Sequence, residues 1–539
     1  MKKITLVAVA LTSLALTANA QYNYEYAFDN LPLIQNELRG SSRYQSMAGA
    51  FGALGGDLSA IVHNPGGIGV YRTGDLGITL SLDLNSSKTG TYSESQTRFR
   101  VNNFGYAGAF KLSSETMPNI NWSFTYNRLA SYDRRYHGVV RNLPTSVTNY
   151  IADAMTDNED ATADNMTAKS GFNPFWNGNA PWNQILAYNN YLAIPTNSAG
   201  TKFAGLGFDG VTADGEFEVI ERGHNDEFAI TLGGNLVNTL YWGVGVGINE
   251  FLHERTQYYG ESLYNTEVYT KPDDASATLV NGNADLGYNN WTRTTGLGYN
   301  FKFGIILKPV NEFRFGVAFH TPTFYKMRQR GWTELNTAFA PENGTNYKLS
   351  DYSPEYVNDF KLRTPWRFIG SIAGVIGGKG IISADYEYVA NTATRVRQWY
   401  DDNYYHGDHE IESTTSDIKN YFSPNHIIRV GAEYRINPSW SIRAGYSYQT
   451  ASASADVRDN KVNVVTSGSA TGYAYDRSTQ YITAGFGYKY RNFYIDLAYV
   501  HKYRLNNYHL FPSYGDLPTV YDEVKDHNNR ISASLGFRF

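Results

Sequence analysis

Large apolar residues recur at every second position in fourteen stretches of this chain. The last is the clearest: Ile531, Ala533, Leu535, Phe537 and Phe539 alternate with Ser532, Ser534, Gly536 and Arg538. Phe493/Ile495/Leu497/Tyr499 and Trp440/Ile442/Ala444/Tyr446/Tyr448 repeat the pattern upstream, and Leu76/Ile78/Leu80/Leu82 opens the series. A period of two sends successive side chains to opposite faces, so each stretch predicts a strand with one apolar and one polar face. The polar face carries Gly, Ser, Thr, Asn and charges. Tight gaps near 238–240, 309–311, 377–380, 437–439 and 490–492 take turns with long ones. The long ones lie near 85–97, 132–226, 255–293, 323–362, 392–425, 452–477 and 505–527. A soluble sandwich also alternates, but short and long connections by turns indicate a membrane barrel with turns at one rim and loops at the other. Aromatics at strand ends, such as Trp122, Trp242, Trp366 and Trp440, fit its interfacial girdles. The pattern predicts an all-β protein, a 14-stranded antiparallel transmembrane β-barrel over residues 74–539. Long extracellular loops are expected, the largest at about 132–226.

The first residues do not follow this pattern. Lys2 and Lys3 precede an apolar run from Ile4 to Leu16 and then Ala18-Asn19-Ala20, which reads as a signal peptide over residues 1–20. The run is shorter than the roughly 20 residues a spanning helix needs. An exported chain that crosses a membrane by strands is expected in the bacterial outer membrane, as a multi-pass protein. Residues 21–73 do not alternate either. A small, glycine-rich stretch from Ser46 to Asp57 leads through Leu58–His63 to Asn64-Pro65-Gly66-Gly67. Small residues pack closely and glycines allow tight turns, so this region is expected to sit in the lumen as a hatch. A phosphate-cradling loop is excluded, because no Gly-Lys-Ser/Thr follows.

The block SMAGAFGALGGDLSAIVHNPGGIGVY, from Ser46 to Tyr71, resembles the N-terminal hatch of the FadL/TodX family of outer-membrane transporters for long-chain fatty acids and aromatic hydrocarbons. Asn64-Pro65 matches the family's Asn-Pro-Ala at two of three positions, with Gly66 in place of Ala. The resemblance implies a fourteen-stranded barrel, a hatch that closes it, and release of cargo when a ligand shifts the hatch. It also implies an exit through an opening in the wall. Gly105/Gly108 and Gly243/Gly245/Gly247 are candidates for the kink beside such an opening, or they make room for the hatch.

Composition narrows the chemistry. The 539 residues include no Cys, which excludes disulfide scaffolds, thiol catalysis and Cys-ligated zinc. A net charge of −5 leaves no basic surplus for nucleic acid. No Gly-x-Ser-x-Gly motif is present, and the chain is not expected to be an enzyme or to need a cofactor. His406-Gly407-Asp408-His409-Glu410 could hold a divalent ion, but a solvated polar loop is favoured and no metal site is assigned. Phe172, Phe175, Trp176, Trp182, Tyr188 and Tyr191 crowd the 132–226 loop. They predict either a hydrophobic capture groove or a self-packed cap. Asp385, Glu387, Arg429, Glu433 and Arg443 should face the lumen, as an ion-pair ladder or as a path for a substrate carboxylate. The expected function is passive, hatch-gated uptake of hydrophobic molecules by a monomer. Its partners would be a hydrophobic ligand, lipid or detergent and the outer membrane. An accessory subunit of a secretion machine and a general diffusion porin are the alternatives.

Overall fold

Alternation produces the wall directly. In a computed structural model describing residues 34–208, 210–271, 277–401, 406–464, 466, 470–512, 515 and 517–539, fourteen strands hydrogen-bond in chain order. The expected signal peptide at 1–20 and residues 21–33 of the expected hatch lie outside the described residues. The strands are β1 Asp75–Thr89, β2 Tyr92–Lys111, β3 Asn119–Ser131, β4 Thr212–Leu236, β5 Leu240–Tyr269, β6 Leu279–Leu307 and β7 Phe313–His320. The second half comprises β8 Arg367–Ile376, β9 Gly380–Val389, β10 Asn425–Arg435, β11 Trp440–Thr450, β12 Tyr473–Tyr490, β13 Phe493–His509 and β14 Tyr521–Arg538. Every pair is antiparallel, and β1 closes on β14 with Ile78 opposite Leu535. Closure leaves no open edge, which is the condition for strands to stand in lipid.

One face of this wall is apolar and open. Leu535 is 52 % exposed whereas Ser534, its neighbour in sequence, is 4 % exposed and points inward. Ile78, Leu232, Val246, Phe301, Val317, Ile442 and Leu497 are likewise exposed, so the outside is a continuous belt of large apolar residues. In water such a belt would drive aggregation; in a bilayer it is solvated by acyl chains. The chain is therefore a multi-pass outer-membrane β-barrel.

The short gaps are turns at one rim, at 237–239, 308–312, 377–379, 436–439 and 491–492. Several long gaps are strand rather than loop. Residues 85–97 are a hairpin with only 90–91 between β1 and β2, and 255–293 is mostly the outward extension of β5 and β6. These extensions lose strict apolar alternation because their outer faces meet water rather than lipid, while inner-face residues such as Tyr259 and Tyr288 pack against the cap. Beyond β7 the ladder is interrupted at Thr321-Pro322-Thr323, then resumes as Phe324–Pro341 along β6. Thr364-Pro365-Trp366 interrupts the neighbouring strand, between Tyr356–Arg363 and β8. Proline has no N–H to give the ladder, so two adjacent strands break at one level.

Residues 132–211 form the cap. It has a strand Arg134–Val140 on β4, helices including Val147–Thr156 and Trp182–Asn189, and a small ribbon. Its core is Val147, Ile151, Met155, Trp182, Ile185 and Leu186, packed against Phe217, Tyr259 and Tyr508 from the extended strands. The cap is thus continuous with the wall rather than a separate domain.

Candidate functional site: the N-terminal segment in the lumen

Residues 34–74 run inside the barrel, and nearly all of their side chains are buried. A one-turn helix, Ser42–Ser46, is capped by the Ser41 hydroxyl, which accepts the Tyr44 N–H. Met47, Ala48, Phe51, Ala53 and Leu54 make a small apolar knot with wall residues Ala373, Tyr481 and Val500. The turn at Asn64 follows from its residue types. Pro65 holds the residue before it in extended backbone, and Asn64 has φ −133° and ψ 105°. The Asn64 Oδ1 accepts the Gly66 N–H at 2.9 Å. Its Nδ2 donates to the Gly52 carbonyl at 2.5 Å and to the Ile305 carbonyl of β6 at 3.2 Å. One amide therefore ties the turn to itself, to the knot and to the wall.

Glycines on both sides permit that approach. A Cβ on Gly66 would lie 2.9 Å from the Ile305 backbone, and one on Gly243 would lie 2.1 Å from the Pro65 carbonyl oxygen. Gly243 of β5 thus makes room for the segment, the second of the two readings its position allowed.

The lumen charges divide into separate roles. Asp385 of β9 stands in register with Arg429 of β10, yet its Oδ2 turns to the N-terminal segment. It accepts the Phe51 N–H at 3.1 Å, the Gly52 N–H at 2.9 Å and the His63 Nε2–H at 3.0 Å. Arg429 pairs instead with Glu387 at 2.6 Å, and Glu387 also binds Arg367 at 2.8 Å. Glu433 joins Arg443, at 2.6 Å, to Arg43 of the segment, at 2.9 Å. Arg443 continues to Asp496 of β13 at 2.5 Å. The five sequence-predicted charges therefore all reach the lumen, and two of them hold the N-terminal segment.

Other anchors escaped the sequence reading. Arg39 bridges Glu37 and Asp83 of β1, at 2.7 and 3.0 Å, and Arg530 of β14 binds Asp83 at 2.8 Å. Lys502 of β13 reaches Glu37 at 2.5 Å. Asp83, Lys502 and Arg530 sit on polar faces of alternating strands, so their inward direction was readable; their partners Glu37 and Arg39 carry no periodic signal. Burial pushes the Glu37 carboxyl up, but Lys502, Arg39 and Arg530 outweigh it and hold the group well below the usual carboxylate range.

Above the segment a chamber of about 120 Å³ is lined by Glu37, Arg39, His63, Glu227, Lys302 and Arg367, among others. A second of about 80 Å³ adjoins it and includes Glu221, His253, Asp476 and Lys502. Both linings are dominated by polar and charged groups.

The loop aromatics lie elsewhere. Trp182 is buried in the cap, where its Nε1–H donates to the Phe175 carbonyl at 3.1 Å. Phe175, Trp176 and Tyr356 pack edge-on around it at 5.7, 5.8 and 5.9 Å. Phe172, Trp176, Tyr188 and Tyr191 keep partial exposure. Residues 406–410 form a strand against 395–401, which sends Asp408 and His409 to opposite faces. Asp408 is paired with Lys361 at 3.2 Å, and Glu410 with Arg395 at 3.4 Å.

No known protein-family profile matches the chain, and no curated protein does. Among solved structures it is similar to a Pseudomonas aeruginosa FadL homologue, at 10% identity over 94% of this chain and 99% of that one, with a TM-score of 0.49. It is similar to the Ralstonia pickettii toluene transporter TbuX at 14% identity over 93% and 99%, TM-score 0.43. The P. putida toluene transporter TodX matches at 11% identity over 93% and 99%, TM-score 0.44.

Proposed function

We propose that this protein is a channel, not an enzyme, and that it takes hydrophobic small molecules through the outer membrane passively, with residues 21–73 as its hatch. The observation that carries this reading is the manner of closure. The segment fills the lumen yet is held largely by separable hydrogen bonds and ion pairs, at Asn64, Asp385, Glu433 and Glu37, around one small apolar knot. A plug so attached can be displaced without unfolding the wall. The chamber of about 120 Å³ is too small for a long-chain molecule, so passage requires the segment to move. The likeness of Ser46–Tyr71 to the FadL/TodX hatch supports fatty acids, aromatic hydrocarbons or similar compounds as cargo.

Within that class the chamber favours amphiphiles. A carboxylate or hydroxyl end can replace water among Lys302, Arg367 and Arg429, whereas a bare hydrocarbon would strip water from charged groups without returning hydrogen bonds. The partly exposed Phe172, Trp176, Tyr188 and Tyr191 offer the cap's apolar edge for first contact. Transport would follow differential binding: contact at the cap, transfer to the chamber, displacement of the hatch, then diffusion.

Deleting residues 41–71 tests the gate. In liposomes the variant is expected to leak small polar solutes and to alter uptake of a long-chain fatty acid, with the barrel still heat-modifiable on gels. Unchanged conductance and unchanged uptake would refute the gate and favour the secretion-subunit reading.

A further inference from the structure

The outward face also carries a feature unrelated to the lumen. Beside β5, β6 and the strands Phe324–Pro341 and Tyr356–Arg363 lies a groove of about 850 Å³. Glu250, Arg293, Leu297, Lys326, Arg328 and Asp359 contribute to its lining. Register sets like charges side by side here: Lys326 opposite Lys361, Lys361 opposite Arg397, and Arg330 opposite Arg293. Directly opposed like charges on a sheet repel, so an arrangement that keeps three such pairs requires anions nearby. The neighbouring carboxylates meet only part of that need. Asp359 is taken by Arg328 at 2.6 Å, Glu355 by Arg330 at 2.5 Å, and Asp408 by Lys361 at 3.2 Å and Arg397 at 3.8 Å. Glu250 is separated from Lys326 by the intervening Leu297, two strand spacings or roughly 10 Å away. Glu254 stands opposite Arg293 on β5, but it accepts the Trp291 Nε1–H at 3.4 Å and is already outnumbered by Arg293 and the Arg330 beyond it. Among the described residues, Lys326 and Arg293 form no ion pair.

Height identifies what could supply the missing charge. From Leu307 at the turn rim to Leu297 is ten residues along β6. At about 3.3 Å per residue and a tilt near 40°, this climbs roughly 25 Å, the thickness of a barrel's apolar band. Lys326, opposite Leu297, therefore stands at the outer headgroup level, and Arg293, four residues further along β6, lies roughly 10 Å above it. Below them Leu297, Tyr299 and Phe301 descend the wall, 64, 53 and 50 % exposed, as a track for acyl chains.

We propose that this groove binds a phosphorylated glycolipid of the outer leaflet, with Lys326 and Arg293 contacting its phosphates and Leu297, Tyr299 and Phe301 its acyl chains. A sugar headgroup is broad enough to occupy the groove, which a single phosphodiester is not. The site serves to seat the barrel in its leaflet and is independent of the cargo.

Native mass spectrometry of the purified full-length protein, titrated with bisphosphorylated lipid A, tests this. The protein is expected to retain the lipid, and Arg293→Ala/Lys326→Ala is expected to weaken retention about tenfold. Lipid A stripped of both phosphates should bind the unmodified protein about as weakly. Equal retention by the double variant, or equal retention of the stripped lipid or of phosphatidylglycerol, would overturn the proposal. If the double variant fails to give a heat-modifiable barrel, a salt series on the unmodified protein decides. Retention that falls as salt rises supports phosphate contacts, and a flat profile overturns them.

Discussion

Asp385 is a lumen side chain that binds the proposed gate directly. Its Oδ2 receives two backbone N–H groups and the His63 ring, all from residues that no strand pairing holds. Asp385→Ala should leave the Gly52 N–H and the His63 ring unmatched in a buried site, while the Phe51 N–H keeps the Gly49 carbonyl at 2.8 Å, weakening local attachment by roughly 1–3 kcal/mol. Hydrogen exchange at the Gly52 amide should accelerate while wall amides stay protected; unchanged exchange would show that Asp385 does not hold the segment. Asn64→Ala should loosen the adjoining turn by about 1 kcal/mol, read by the same exchange at Gly66. Glu37 introduces a pH dependence whose sign follows from its environment. Its folded pKa lies below the ordinary value of about 4.3. Its contribution is therefore complete above that value and is lost as pH falls through the folded pKa. Acidification from pH 7 to about 5 should leave the segment attached, with release only at stronger acid, and Glu37→Gln should loosen the segment already at pH 7 and make the acid step smaller. Conductance in planar bilayers as a function of pH measures both. At this scale Asp385 was legible as an inward charge from its alternation, but not its partner, because the Phe51 and Gly52 amides that it accepts are 334 and 333 residues away.

The strands are where periodicity and structure agree most closely, and β14 is the test case. Leu535 faces lipid, so Leu535→Arg should impair assembly by roughly 2–4 kcal/mol if it lies near the midplane. Ser534 faces inward, which by alternation alone would suggest tolerance of charge. Its hydroxyl instead accepts the Ser42 N–H at 2.7 Å and lies 2.7 Å from the Thr79 hydroxyl. Ser534→Arg should therefore permit the barrel to form but displace the Ser42–Ser46 turn. Urea titration of folding in vesicles would report the first effect and bilayer conductance the second. Strand ends were less legible than strand centres. The hairpin over 85–97 and the extensions of β5 and β6 were expected as loops, because their backbone pairing persists after the lipid that enforced alternation has ended.

The molecule as a whole joins three environments: a lipid-facing belt, a polar lumen and an aqueous cap. The cap's stability rests on burial, with Trp182 1 % exposed at its centre. Trp182→Ala should cost the cap about 3–5 kcal/mol through transfer and cavity terms. Limited proteolysis should then cut within 141–211 while the barrel remains heat-modifiable. If cap and barrel instead lost structure together, the cap would be integral to assembly. The first result separates the cap from the N-terminal segment, whose attachments lie deeper in the lumen.

Fourteen strands, their order and the direction of the side chains at their lipid-level centres were determined by the sequence alone, since a period of two in lipid admits one inside-out assignment and antiparallel neighbours follow from the connections. The Asn64-Pro65-Gly66-Gly67 turn was equally local, as proline geometry and a short amide act within a few residues. Only the tertiary structure decided which lumen charges hold the N-terminal segment, that the loop aromatics Phe175 and Trp182 are core, and that Lys326 and Arg293 share one outward groove. Each of these depends on contacts between strands far apart in sequence, and closing the barrel is what brings them within reach.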